Sequence, residues 1–241
     1  MSKTRIYIEP GQIVDQIRLS DKGLIHKIKN VLRLKEPDKL YVFDGQGKEY
    51  LYSIAKAEKK AVWLKKQSLS LEKLLPKRKI TLAFPLVREE RIDYILQKAT
   101  EFGVSEFIPF TCQRSSNQKV SANKLKRWQR IVNEAVRQSA RLWIPKVKAV
   151  TSFKAITESN YPVKIAGAIK GKSLEKVLTK QAKSILIVVG PVGDFSPQEF
   201  RILTKSSFKF LKLSSYILRV ETAAAFAVGL VNYFLLDDEP R

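Results

Sequence analysis

The chain has 241 residues, of which 45 are Lys or Arg and 23 are Asp or Glu, giving a formal net charge of +22. A hydrophobic content of 44% with only 10 Gly and 10 Pro excludes a disordered or fibrous chain and leaves room for a real core. A single cysteine, Cys112, and a single histidine, His26, exclude an internal disulfide and a cysteine-rich zinc site, and leave almost no room for a histidine-based triad or metal site. Residues 1–7 lack the apolar stretch of a secretory signal. The longest apolar run, 223–236, is broken by Gly229 and Asn232 and falls short of the roughly 18 residues of a membrane span. A soluble cytosolic chain with a polyanionic partner is the expectation, and charge alone leaves RNA, DNA and an anionic membrane face open.

In chain order, short strands are predicted over 4–8, 39–43, 49–54 and 61–65, all rich in β-branched and aromatic residues. The Asp44-Gly45-Gln46-Gly47 stretch between two of them reads as a hairpin turn, since no helical pattern follows its G-x-G. Residues 20–33 form a basic amphipathic segment, with Leu24, Ile28, Val31 and Leu32 at helical spacing. A polar, basic stretch over 70–79 then separates two textures. Beyond it, apolar strands at 80–84, 106–110, 163–168, 185–189 and 208–213 alternate with helical patterns. Ile92, Ile95, Leu96, Ala99 and Phe102 make one helix face, Leu125, Trp128, Val132, Ala135 and Leu142 a second, and Ala223, Ala227, Leu230 and Phe234 a third. Such alternation implies βαβ units and a mostly parallel sheet covered on both faces. Two domains are therefore expected: a small β-rich one over 1–72 and an α/β one over 76–241.

Two stretches carry chemistry. In the first, a buried strand runs into Gly190-Pro191-Val192-Gly193-Asp194-Phe195 and then a helix start, where Ser196, Pro197 and Glu199 fit an N-cap, first helical position and capping-box acid. Ligands of open α/β sheets bind beyond the carboxyl ends of the strands, where glycines admit close approach to the backbone; an ordinary strand-to-helix turn is the plain alternative. In the second, Leu213-Ser214-Ser215-Tyr216-Ile217-Leu218-Arg219-Val220-Glu221-Thr222 leads from a strand into a helix rich in alanine. It brings a cation, an anion and a hydroxyl to the same edge; alternatively, Arg219 and Glu221 simply pair with each other.

Taken with other stretches in order, these two resemble the RsmE family of bacterial 16S ribosomal RNA uridine-N3 methyltransferases, of the SPOUT superfamily. The stretches are Arg5, the His26…Asn30-Val31-Leu32-Arg33 segment, Gln97-Lys98-Ala99-Thr100-Glu101-Phe102-Gly103-Val104, Arg114-Ser115, Arg127-Trp128, and Glu134-Ala135…Gln138-Ser139…Arg141…Pro145. The resemblance implies a PUA-like β-barrel RNA-binding domain followed by an α/β SPOUT methyltransferase domain with a C-terminal trefoil knot. It also implies S-adenosylmethionine as cofactor, a homodimer with shared active sites, and 16S rRNA of the small ribosomal subunit as partner. No membrane and no metal are part of it.

Carried over residue by residue, the cofactor would rest on Gly190, Pro191, Gly193 and Phe195, with Leu213, Ser214, Ile217, Leu218 and Thr222 completing its pocket. Arg219 would stabilise the uracil anion or position its phosphate, and Glu221 would orient Arg219, a role as base being the alternative. RNA would meet Arg5, His26, Arg33, Arg114, Arg127, Gln138 and Arg141, and the cations at 124–141, among which Glu134 is the only acid, are expected to contact phosphate. Three positions depart from the family pattern: Val192 replaces a glutamate, and Asp194 and Ser214 replace glycines. The competing expectation built on them is a non-catalytic RNA-binding protein derived from the methyltransferase. His26 is otherwise read as RNA-facing or structural, Cys112 as unreactive, and Trp128 as a core residue.

Overall fold

The computed structural model describes residues 4–116 and 119–236. It divides into two compact units, one containing the chain up to Leu75 together with Val136–Ile144, the other Pro76–Ala135 and the chain from Pro145 on.

The first unit is a five-stranded sheet in the order β1-β3-β4-β5-β2, built from β1 (Arg5–Tyr7), β2 (Gln16–Leu19), β3 (Lys39–Phe43), β4 (Lys48–Ala57) and β5 (Val62–Glu72). Consecutive hairpins join β3 to β4 and β4 to β5, while β1 adds to β3 in parallel. Alternate residues turn inward, so Ile6, Ile17, Leu40, Val42, Tyr52, Ile54, Val62 and Leu64 share one core. The basic segment at 20–33 supplies Ile25 and Ile28 to that core from a short helix, α1 (Lys22–His26), and the wider turn that follows it. Tyr52 donates from its hydroxyl to the Val14 carbonyl at 2.7 Å, and burial pushes that phenol up to about 12. The hairpin reading of Asp44–Gly47 holds: Asp44 Oδ1 accepts from the Gln46 and Lys48 amides at 2.7 and 2.9 Å, with Gly45 and Gly47 at positive φ.

Arg5 departs from its expected role. It is only 4% exposed, and its Nε donates to Glu49 Oε1 at 2.5 Å while its terminal nitrogens donate to the Arg137 and Arg141 carbonyls. A guanidinium so buried and so occupied is out of reach of a phosphate. It holds Val136–Ile144 with the strands, and a buried charge needs that full set of partners.

The second unit is a seven-stranded sheet with the order β12-β10-β11-β6-β7-β8, and β9 also on β7. Its members are β6 (Lys79–Pro85), β7 (Glu106–Thr111), β8 (Lys146–Val147), β9 (Thr151–Ser152), β10 (Val163–Lys172), β11 (Ser184–Val188) and β12 (Lys209–Leu211), and every pairing is parallel. Helices α2 (Glu89–Glu101), α3 (Ala122–Gln138), α4 (Phe153–Thr157), α5 (Leu174–Val177), α6 (Pro197–Lys205) and α7 (Val220–Leu235) connect or cover it. The central strands β6 and β11 are buried almost throughout, so they read as unbroken apolar runs. Parallel pairing puts the carboxyl ends of β10, β11 and β12 at one edge, where both chemistry-bearing stretches lie.

Candidate active site

The first wall of the site follows β11. The Asp194 amide donates to the Pro191 carbonyl at 2.9 Å and closes a tight turn whose third residue, Gly193, has φ +80°. Asp194 itself lies at φ +63°, a conformation that Asp tolerates better than most residues, so this departure from the family pattern is accommodated. Its Oδ1 accepts from the Phe195 amide at 2.8 Å, while burial pushes its carboxyl above the ordinary range. A Cβ on Gly190 would sit 2.7 Å from that Oδ1 and 3.3 Å from the Phe195 ring, so Gly190 is required by the loop's own packing.

The turn is latched from outside. Arg114 donates to the Gly193 carbonyl and, at 3.3 Å, to that of Asp194. The capping box expected at α6 forms, with the Glu199 amide on Ser196 Oγ at 3.2 Å and the Ser196 amide on Glu199 Oε2 at 2.8 Å. The other oxygen of Glu199 accepts from the Gln113 amide at 3.0 Å.

The second wall, after β12, is built sparingly. Its one side-chain bond is from the Tyr216 amide to Ser214 Oγ, 3.0 Å. Tyr216 and Ile217 are 82% and 85% exposed. Arg219 occupies the N-cap position of α7 without capping it through its side chain. Its guanidinium makes no hydrogen bond or ion pair among the described residues.

Between the walls lies a cavity of about 530 Å³, inside the roughly 300–1,000 Å³ range of small-molecule sites. Of the residues named from sequence, Gly190, Pro191, Gly193, Leu213, Ser214, Ile217, Leu218 and Arg219 line it. Phe195 does not: it is buried with its ring 5.6 Å from that of Phe153, supporting the turn from beneath. Thr222 and Glu221 are also outside the lining. Glu221 pairs with Arg91 of α2, Nε to Oε2 at 3.7 Å, and not with Arg219. Arg91, which lines the cavity, is a residue the sequence reading missed, together with Gly167, Ala168 and Ile169 in the middle of β10. An apolar slot beside main-chain polar groups suits S-adenosylmethionine: apolar walls for an adenine ring, and main-chain amides and carbonyls for its polar edges.

The residues named for RNA scatter. Arg114 serves the turn. Arg127 donates to Glu89 Oε1 at 2.7 Å and Asp93 Oδ1 at 2.8 Å, and Lys124 also pairs with Glu89. Two cations of α3, Lys124 and Arg127, thus meet acids from α2, which a reading of α3 alone could not see. Burial pushes the Glu89 carboxyl up, but Lys124, the Trp128 indole and Arg127 outweigh it and hold it below its usual value. Trp128 is fully buried, as expected of a core residue, and donates to Glu89 Oε1 at 2.9 Å. Gln138 and Arg141 belong to the first unit; burial lowers the Arg141 guanidinium to about 10. His26 and Arg33 are exposed on the same unit, Arg33 with φ +53°. Burial raises the Cys112 thiol, consistent with an unreactive cysteine. Among the described residues, no helix is long and apolar enough to cross a membrane, and no three His, Cys, Asp or Glu side chains cluster as metal ligands.

Comparison with known proteins identifies the family. Residues 73–232 match the family model described as an RNA methyltransferase domain, and 25–67 match one described as an RNA methyltransferase PUA domain. Ribosomal RNA small subunit methyltransferase E of Synechocystis is 31% identical over 96% of this chain and 78% of its own length. A methyltransferase from Legionella pneumophila, solved with bound S-adenosylmethionine, superposes with a TM-score of 0.88 at 26% identity, covering 97% of this chain and 98% of its own. Ribosomal RNA small subunit methyltransferase E from Neisseria gonorrhoeae, also solved with S-adenosylmethionine, gives 0.87 at 26% identity over 96% and 97%. A PUA-type domain and a parallel α/β unit of the SPOUT type are what these proteins have in common with it, and the chain belongs to the ribosomal RNA small subunit methyltransferase E family.

Proposed function

We propose that this protein transfers a methyl group from S-adenosylmethionine to N3 of a uridine in 16S rRNA of the small ribosomal subunit. The observation that carries the reading is the cavity at the carboxyl edge of the parallel sheet, walled by the Gly190–Phe195 turn and the Leu213–Arg219 loop, in a member of this family. S-adenosylmethionine supplies a methyl group already activated by its sulfonium. The chain's own residues then have three tasks. Main chain around Gly190, Pro191 and Gly193, with Leu213, Ser214, Ile217 and Leu218, grips the cofactor, and Phe195 supports the first wall from outside the cavity. The latched turn arrives pre-formed, so little ordering entropy is lost on binding. Arg219, unpartnered at the cavity mouth, faces the developing negative charge of the uracil.

The non-catalytic reading loses its main support, since Asp194 fits its left-handed position and Ser214 lines the cavity with its hydroxyl occupied by the Tyr216 amide. The same proposal includes a cytoplasmic homodimer with a knotted C-terminal segment. Exposed Val192, Tyr216 and Ile217 beside the cavity are the surface on which a second copy would close the site. Exposed His26 and Arg33 are where the first unit would meet RNA. Calorimetry with S-adenosylmethionine, sedimentation for the dimer, and mass spectrometry of small-subunit RNA from cells lacking the protein test the reading. Loss of one N3-methyluridine is the expected result; no cofactor binding would overturn the enzyme reading.

A further inference from the structure

The cavity has an uneven charge inventory. Two guanidinia line it, Arg91 and Arg219, and the only acid lining it among the described residues is Asp194, whose Oδ1 is engaged by the Phe195 amide. The chain's one histidine, His26, belongs to the other unit. Asp194 is thus tied into the turn through Oδ1, whereas the lining carries two guanidinia that make no hydrogen bond among the described residues. Behind Arg91 stands Glu221, its side chain 13% exposed and its Oε2 buried without any hydrogen bond. At 3.7 Å from Arg91 Nε this is an ion pair and not a hydrogen bond. The carboxylate therefore holds the guanidinium by charge, and the side chain of Arg91 makes no hydrogen bond among the described residues.

Resting on the methyltransferase reading, we propose that Arg91 is a substrate-contacting residue. Arg91 and Arg219 each donate to one carbonyl oxygen of the target uracil, O2 and O4, and Glu221 is the positioning residue that fixes Arg91. N3 loses its proton to solvent water. The electron pair left behind spreads over O2, N3 and O4, where the two guanidinia stabilise it. N3 then takes the methyl group, the carbon–sulfur bond electrons returning to sulfur, which becomes a neutral thioether. Stabilising the anion raises its population at neutral pH, the task a base would otherwise perform. The arrangement also selects the base: cytosine offers an amino group where uracil offers O4, and would set a donor against a guanidinium.

The test uses the full-length chain, small subunits from cells lacking the protein, and the variants Arg91→Ala, Arg91→Lys and Glu221→Gln. With Arg91→Ala, the rate at saturating cofactor falls by about 10²–10³, the loss typical of one oxyanion donor. Calorimetric affinity for S-adenosylmethionine stays at the wild-type value, and the rising limb of the rate–pH profile moves to higher pH. Small-subunit RNA carrying 5-fluorouridine, whose N3–H is more acidic, restores a larger fraction of the rate to Arg91→Ala than it adds to the wild type. Arg91→Lys keeps part of the rate, and Glu221→Gln loses less than Arg91→Ala. A variant whose cofactor affinity drops while its saturated rate recovers would make Arg91 a cofactor ligand and overturn the proposal. Equal response of variant and wild type to 5-fluorouridine would overturn it too. Should Arg91→Ala not fold, the lysine variant carries both readouts. An active wild type with an equally active Arg91→Ala sinks only this proposal, whereas a wild type that methylates no uridine sinks the methyltransferase reading and this with it.

Discussion

The two walls of the cavity are made in opposite ways. The Gly190–Phe195 turn is closed on itself, held through the Asp194 carboxylate, latched by Arg114 and tied through Glu199 to both Ser196 and Gln113. The Leu213–Arg219 loop has one side-chain bond, two nearly bare apolar side chains and an uncapped helix start. A wall of the first kind spends its order before ligand arrives. One of the second kind keeps its apolar side chains in water until a ligand or a second copy covers them, and that burial supplies about 25 cal/mol per Å². Rigidity is thus concentrated where, on the proposed function, main chain would meet the cofactor, and spare binding energy where a ligand or a second copy would close over it.

The comparison breaks first at Glu199. Glu199→Ala removes the two amide bonds to a buried carboxylate, from Gln113 and Ser196, and should cost about 2–4 kcal/mol. Calorimetry should record that as a fall in Tm of roughly 5–15 °C for a chain of this size. An unchanged Tm would mean that the network does not hold the turn. Next comes Gly190→Ala, where a Cβ 2.7 Å from Asp194 Oδ1 forces the turn apart. Overpacking of about 1–3 kcal/mol should weaken S-adenosylmethionine binding by ~10-fold or more in titration calorimetry.

Arg114→Ala separates two readings of one residue. As a latch, its loss weakens cofactor binding ~5-fold, the worth of a typical hydrogen bond, and leaves affinity for RNA nearly intact. Reduced RNA affinity with unaltered cofactor binding would return Arg114 to the RNA surface. On the opposite wall, Ile217→Ser should leave Tm within the ±0.5 kcal/mol of a surface change while lowering cofactor affinity, because the side chain counts only once covered. A clear drop in Tm would show the second wall to be as pre-formed as the first.

The smallest effect is one of pH. The Asp194 carboxyl lies above its ordinary value in the folded chain, so the fold binds that proton more tightly than the unfolded chain does. Its contribution to stability is present below the ordinary Asp range and is lost as pH rises through the raised value. Asp194→Asn should flatten that part of a stability–pH curve measured by denaturant titration, and an unaltered curve would remove the carboxyl from the account.

Much of this was legible in the residues. The turn and its capping box depend on bonds between neighbours, such as Asp194 to Pro191 and Ser196 to Glu199, so turn and cap residues announced them. The apolar runs of β6 and β11 announced buried parallel strands for the same reason. Arg5 was misread because, in a chain of +22, a basic residue near the start looks like surface, and its partners Glu49, Arg137 and Arg141 are distant in sequence. The acids facing α3 were invisible likewise, lying on α2.

By itself, the sequence determined the two textures of the chain, the two loops at one sheet edge, and a family motif that named the chemistry. Each follows from local periodicity or from near-neighbour hydrogen bonding, which a linear string encodes directly. Only the tertiary structure decided that Val136–Ile144 counts with the first unit, that Phe195 supports the cavity without lining it, and that Glu221 turns to Arg91 and not to Arg219. Those are choices among partners far apart in the chain, and which charge a buried carboxylate meets is set by how helices pack, not by spacing along one of them.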